Sequence, residues 1–337
     1  MSVGFPVSRI PDPSQASPLR WGILGPGGIA RSFVDALAKH TRQRVVAVGS
    51  RSAERAGAFA AAHDIRRAHG SYEALVDDPD VDVVYVASPT GQHHEHALLA
   101  IAAGKHVLVE KSFSRTAAEA AEMVAAARTA DVVLLEAMWT RFLPHIDVVR
   151  QLVGDGVLGE IQTVIADHGQ LLTPGAAPRL HSPELGGGAL LDLGVYPLSF
   201  AALILGTPDS ILAAGEMATT GVDSTISAVL RTGGAHAVVT TTLTARTPTT
   251  ASISGTAGRL EIAADFYTPA ELVLTTQSGS VARKVDRIRG HEALCFQAAH
   301  LAHLVEEGRR DSPLLPLVET VGIMATMDEI RRQVAVG

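Results

Sequence analysis

Gly25-Pro26-Gly27-Gly28-Ile29-Ala30 constrains this chain more than any other stretch. It follows the short apolar run Arg20-Trp21-Gly22-Ile23-Leu24 and opens an Ala-rich helical stretch from Ile29 to Lys39. The first glycine permits a tight turn out of a strand, and the second lets backbone approach a bound group. Ala30 is small enough for close helix–strand packing. The helix start at Gly28 and Ile29 supplies amide donors and positive potential. A glycine turn alone says little, since any tight turn after a strand favours glycine. Strand, G-x-G-x-x-A and helix in immediate succession point to a pyrophosphate seat in a dinucleotide-binding sheet.

The following residues keep that rhythm. Val45 to Val48, Val81 to Val86, Val107 to Val109 and Val132 to Leu135 read as buried strands. Helical stretches lie between them: Ser52 to Ala62 with Ser52 as cap, His94 to Ala103, and Ala117 to Arg128. The alternation predicts a Rossmann-type, doubly wound parallel sheet covered on both faces over residues 19–138. Residues 1–18 contain Pro6, Pro11, Pro13 and Pro18 and lack the charged start and apolar core of a signal peptide. They read as a flexible leader.

Residues 139–337 change texture. One helix follows Pro144 and another spans Val195 to Leu205. Ser224 to Leu230, Ala237 to Leu243, Thr250 to Ser254, Arg259 to Ile262 and Glu271 to Thr275 alternate with period two. They predict an α+β domain with an open, mostly antiparallel sheet. Helical pattern returns over His291 to Glu307 and Leu317 to Gln333.

The cofactor type is read at the end of the second strand. A NAD site places a carboxylate there for the ribose hydroxyl, whereas this chain has Gly49-Ser50-Arg51 and then Arg55 one helical turn later. A hydroxyl and guanidinium suit a 2′-phosphate, so NADP(H) is favoured over NAD(H). Glu110-Lys111 stands at the carboxyl end of a buried strand, where ligands bind in such sheets. Lys111 there can hydrogen-bond a substrate oxygen and stabilise its developing charge.

Composition removes other functions. Lys and Arg total 28 against 35 Asp and Glu, a formal charge of -7, and no basic stripe offsets it, so nucleic acid is excluded as a partner. No run reaches the ~18 apolar residues that cross a membrane. The single Cys295 rules out an internal disulfide and a thiolate cage and fits a reducing compartment, the cytoplasm. His93-His94-Glu95-His96 lacks the i, i+4 histidines of a zinc helix, and so does His291-Glu292; no metal is expected.

Val86-Ala87-Ser88-Pro89-Thr90, His93, Ala103-Gly104-Lys105-His106-Val107-Leu108 and Glu110-Lys111 together resemble the Gfo/Idh/MocA oxidoreductases. Family members carry Glu-Lys-Pro where this chain has Ser112 after the lysine. Glu136 to Pro144, Gly186 to Pro197 and Ser312 to Leu317 resemble the branch of dihydrodiol dehydrogenases, NADP-dependent D-xylose dehydrogenases and sugar reductases. The resemblance implies that Lys111 and Tyr196 carry the chemistry and that Asp192 lines the site. It places Ser88, Pro89, Thr90, His93 and Glu110 at the cofactor, with Trp139 and Phe142 as an apolar wall. Arg141 and Arg179 are assigned to substrate hydroxyls.

Tyr196 lies four residues after Asp192 at a helix start, a spacing that puts both on one face. A phenol near pKa ~10 is a poor base at neutral pH, but an adjacent ammonium favours phenolate. Tyr196 would then exchange a proton with an alcohol or alkoxide. The expected activity is hydride transfer between NADP(H) and a secondary alcohol or ketone of a sugar, polyol or cyclic diol. Two alternatives accompany it: a sugar-nucleotide ketoreductase using the same pair, and a non-catalytic NADP-sensing regulator, which would need neither residue. Relatives bury the open sheet face in a dimer or tetramer, so a homo-oligomer is expected.

Overall fold

The computed structural model describes residues 4–336, so residues 1–3 of the expected leader lie outside the described residues. Its elements are β1 (Arg20–Leu24), α1 (Gly28–His40), β2 (Arg44–Gly49), α2 (Ala53–Ala62), β3 (Arg67–His69), α3 (Tyr72–Val76), β4 (Val83–Val86), α4 (His93–Ala102), β5 (His106–Val109), α5 (Ala117–Thr129) and β6 (Leu134–Glu136). After them come α6 (Pro144–Gly154), β7 (Ile161–Gly169), α7 (Val195–Leu205), β8 (Ser210–Met217), β9 (Asp223–Thr232), β10 (Ala235–Thr242) and β11 (Ala251–Gly255). The chain closes with β12 (Gly258–Ile262), β13 (Leu272–Thr276), β14 (Gly279–Arg283), α8 (Cys295–Glu306) and α9 (Leu317–Val336). These elements divide into two compact units: residues 11–142 with 290–321, and residues 4–10 with 143–289 and 322–336.

In the first unit, the described residues form a six-stranded parallel sheet in the order β3-β2-β1-β4-β5-β6. This is the doubly wound Rossmann order, whose direction reverses beside β1. Local chemistry sets the helices. Ser52, Ser71 and Thr116 cap α2, α3 and α5, each accepting a backbone N–H three residues on at 3.1–3.2 Å. Phe33, Val34 and Leu37 give α1 an inward stripe, and Phe33 lies 5.4 Å from Trp21 and 4.0 Å from Tyr85 on the sheet. The run read as a third strand is β4, because the short β3 precedes it. Residues 290–321 return to this unit, and no shift in composition marks that return.

In the second unit, eight strands follow the order β14-β13-β12-β11-β7-β10-β9-β8 among the described residues. All neighbours are antiparallel except β7 with β10. β9 to β13 fall on the period-two segments, whereas β7, β8 and β14 went unread. Arg9 is fastened to Asp147 of α6 by its backbone N–H at 2.7 Å and its guanidinium at 2.8 Å. On the outer face, Leu212, Val229, Val238 and Ile165 stand side by side across β8, β9, β10 and β7. They remain 73%, 37%, 40% and 51% exposed.

Candidate active site

The first unit gathers its chemistry where β1, β2, β4 and β5 end. Gly25 has φ +95°, and a Cβ there would lie 3.1 Å from Ala87 backbone and the Ser88 nitrogen, so only glycine fits. No side chain caps α1, and a Cβ on Gly28 would meet nothing within 4 Å. The turn therefore leaves room and amide donors at Gly28 and Ile29 for an anion, with Ala30 buried behind them. Beyond β2, Arg51 shares a cavity of about 610 Å³ with Ser71, Tyr72, Glu73, Gln92 and His96. Ser50 is buried and its hydroxyl accepts the Ser52 N–H at 3.2 Å. Arg55 lies exposed on α2. The chemistry of this set fits a dinucleotide: Gly25 to Ile29 would hold an anionic group, and Arg51 and Ser50 lie beyond β2.

The exits of β4 and β5 are tied together by His93, which is 1% exposed. Its ring nitrogens lie 2.8 Å from the carbonyl oxygens of Ser88 and Ser112. The Ser88 hydroxyl lies 2.8 Å from His96 Nδ1. Burial lowers the His96 pKa from the usual imidazole value, with Glu95 opposing the shift and Arg51 adding to it. Pro89 and the buried Thr90 continue the β4 exit. At the β5 exit Glu110 accepts the Tyr85 hydroxyl and the Lys111 N–H, and the Lys111–Ser112 peptide is cis. Sequence reading missed Glu136 as a buried acid at the end of β6. Burial pushes it up to about 7 against donors from Thr320 and the Phe113 N–H and the nearby Arg141 charge.

Trp139, Arg141 and Phe142 form one turn of 3-10 helix. Trp139 stacks on His291 at 5.7 Å and Phe142 on His300 at 4.8 Å. Arg141 is 1% exposed and its guanidinium bonds Glu319. All three partners come from the returning segment 290–321, so local sequence carried no signal of them.

The second unit holds Asp192 and Tyr196. Leu190–Gly194 is a π turn that runs into α7, so the four-residue spacing crosses wider geometry than a regular α-helix. The Asp223 carboxylate seats that turn by accepting the Leu190 N–H at 2.6 Å. Gly188 is required beside it, since its φ is +117° and a Cβ would strike that carboxylate. Asp192 accepts from Arg179 at 3.1 Å, and Arg179 remains 42% exposed. Tyr196 is 8% exposed, with its ring against Tyr267 and His168. His168 is a second residue missed in the sequence, because β7 itself went unread. Among the described residues no group of three His, Cys, Asp or Glu is arranged to hold a metal, and no helix is long and apolar enough to cross a membrane.

Known proteins match both parts of the chain. Residues 19–138 match the model of the GFO/IDH/MocA oxidoreductase family with its NAD-binding Rossmann fold, and residues 146–261 match the GFO/IDH/MocA C-terminal domain. The chain is 36% identical over 328 residues to trans-1,2-dihydrobenzene-1,2-diol dehydrogenase of Bos taurus, covering 94% of this chain and 97% of that protein. Among solved structures, the 3-ketoreductase KijD10 of Actinomadura kijaniata, in complex with NADP and TDP-benzene, is 28% identical with a TM-score of 0.84. The match spans 94% of this chain and 98% of that one. The aldose-aldose oxidoreductase of Caulobacter crescentus, complexed with glycerol, is 26% identical with a TM-score of 0.86, spanning 95% and 98%.

Proposed function

The chain belongs to the Gfo/Idh/MocA oxidoreductases, and we propose that it transfers a hydride between NADP(H) and a secondary alcohol or ketone of a sugar, polyol or cyclic diol. One observation carries the reading. The glycine turn, Ser88-Pro89-Thr90 and Glu110-Lys111 leave the neighbouring strands β1, β4 and β5 at one carboxyl edge, beside the point where strand order reverses. The nicotinamide, when bound, accepts or donates the hydride. Lys111 binds the substrate oxygen and stabilises the charge it develops. Tyr196 takes the alcohol proton in oxidation and returns it in reduction. Asp192 and the exposed Arg179 orient the remaining hydroxyls, whereas Arg141 serves Glu319. Trp139 supplies the apolar wall, and Phe142 packs behind it.

Preference for NADP is supported by Arg51 in its cavity and by the absence of a carboxylate directly after β2. A substrate carrying a nucleotide diphosphate is the second reading, favoured by the likeness to the 3-ketoreductase solved with TDP-benzene. The single thiol, Cys295, is buried and its pKa is pushed up to about 12 by desolvation, so it is unreactive and takes no part in the proposed chemistry. A second copy of the chain is the proposed cover for the Leu212–Ile165 row. Eight strands about 4.8 Å apart offer a face wide enough for the ~800 Å² per partner of a stable interface.

The test is Lys111→Met, assayed by NADPH absorbance on sugars, dihydrodiols and sugar nucleotides. Turnover should fall by about 100- to 1000-fold while NADPH still binds. Undiminished turnover would remove Lys111 from the reaction.

A further inference from the structure

Tyr196 opens α7 and Phe200 follows one turn later, so both rings project from one side of the helix. Consecutive residues of the 263–271 connection meet them. Phe266 sets its ring against Phe200 at 5.6 Å and 65°, while Tyr267 lies on Tyr196 at 4.5 Å and 29°. The two loop rings stand at 89° to each other, which lets sequence neighbours reach different rungs. His168, on β7, closes a triangle. It lies 4.6 Å from Tyr267 at 26° and 5.5 Å from Tyr196 at 54°. Gln170 Nε2 lies 3.0 Å from His168 Nε2, which ties the ring to the end of β7.

The same strand fastens the loop. Asp167, next to His168, accepts the Thr249 and Thr250 N–H groups at 2.7 and 3.0 Å. Thr249 in turn accepts the Phe266 N–H at 3.0 Å. Phe266 is fully buried and does the packing for the loop, whereas Tyr267 is only half-buried. The Tyr267 ring therefore does more than fill core. Stacked rings resist tilting of either partner. A proton carrier must reach its oxygen at about 2.6–3.2 Å, and a misplacement of ~1 Å costs ~100-fold in rate.

We propose that Tyr267, backed by His168, is a positioning residue that holds the Tyr196 phenol in the orientation proton transfer requires. This rests on the reading of Tyr196 as the proton carrier. The loop and β7 form a clasp, and the ring contacts convert the rigidity of the sheet into a fixed phenol.

The test uses the intact chain. It has four tyrosines, so fluorotyrosine labelling gives few enough fluorine NMR signals to assign by single substitutions. Tyr267→Leu should shift the Tyr196 signal, move the pH limb of kcat/KM that belongs to Tyr196, and lower kcat by ~10- to 100-fold. NADPH affinity should hold. Tyr267→Phe keeps the stacked ring and should keep kcat, the pH limb and the Tyr196 signal. A folded Tyr267→Leu protein with unchanged kcat, pH limb and Tyr196 signal overturns the proposal. If that variant does not fold, His168→Ala against His168→Phe gives the same readouts, and an unmoved Tyr196 signal in His168→Ala overturns it equally. Tyr196→Phe separates the two readings. Retained turnover there removes Tyr196 as proton carrier and the proposal with it. Lost turnover there, with Tyr267→Leu unaltered, removes the clasp alone.

Discussion

The parallel sheet buries Val83 to Val86 and Val107 to Val109 without a break, while in the eight-stranded sheet β9 and β10 bury alternate residues from Ile226 to Leu230 and from Ala235 to Val239, and Leu212, Val229, Val238 and Ile165 turn toward solvent. The difference follows from what covers each. Crossover helices lie on both faces of a parallel sheet, so its only open features are its strand ends. The proposed cofactor chemistry is therefore pressed to one edge, where Gly25, Ser88 and Lys111 leave their strands. An antiparallel sheet joined by short turns has a face to spare. Here that unit has two distinct sides, the α7 side with Tyr196 and the bare outer row.

The comparison breaks most sharply at Gly25. An alanine there meets a φ of +95° and backbone 3.1 Å away. We expect a loss of about 2–5 kcal/mol in chemical denaturation together with loss of cofactor binding. A stable Gly25→Ala protein that binds NADPH would deny that edge its tight turn.

Next in size are two buried groups with opposite signs. Glu136, in the first unit, is raised by burial from 4.5 to about 7. The folded state keeps its proton longer than the unfolded chain, so stability falls as pH rises from 4.5 to 7, by about 3 kcal/mol. His145, fully buried on α6 in the second unit, is lowered by burial from 6.5 to about 4. There the unfolded chain takes the proton first, and stability falls by a similar amount as pH drops from 6.5 to 4. Trp21 and Trp139 both lie in the first unit, so tryptophan fluorescence reads that unit and circular dichroism reads both. Glu136→Gln should flatten the fluorescence-detected dependence between pH 4.5 and 7. Melts that keep their slope in that variant would discount the buried acid.

Arg51→Ala should weaken NADP by about 10- to 100-fold, the value of a charge-assisted contact, and leave NAD unchanged in a fluorescence titration. Equal losses for both cofactors would assign Arg51 to the adenine rather than the phosphate. The smallest effect on folding is expected at the outer row. Val238→Glu should alter stability by under ~0.5 kcal/mol while shifting sedimentation from oligomer to monomer. An unaltered sedimentation profile would clear that face of any role in assembly.

Much of the fold was legible. Ser52 was read as the cap it is, α7 was bounded at Val195 and Leu205, and β9 to β13 sat on their alternating segments. β7 was not. Its polar Asp167 and His168 stand on opposite faces, one pinning the backbone of Thr249 and Thr250, the other stacked on Tyr267, and this mixture hides the period. Of the candidate site, the glycine turn was readable from spacing and physical chemistry, and Lys111 from its place at a strand end, whereas Tyr196 drew its role from family resemblance. Nothing local marks Glu136 as buried, because its burial comes from residues far along the chain such as Thr320.

By itself the sequence determined what depends on neighbours along the chain: the turn that only glycine can make, the caps, the two hydrophobic periods, and hence a doubly wound sheet followed by an antiparallel one. Tertiary structure decided what depends on residues far apart in the chain. It brought 290–321 back to receive Trp139, Arg141 and Phe142, set Asp223 under the π turn before Tyr196, and stacked Tyr267 and His168 on that tyrosine. Backbone geometry is local and leaves a local signature. Burial and ring contact arise only when the chain closes long loops, and no window of sequence contains both partners.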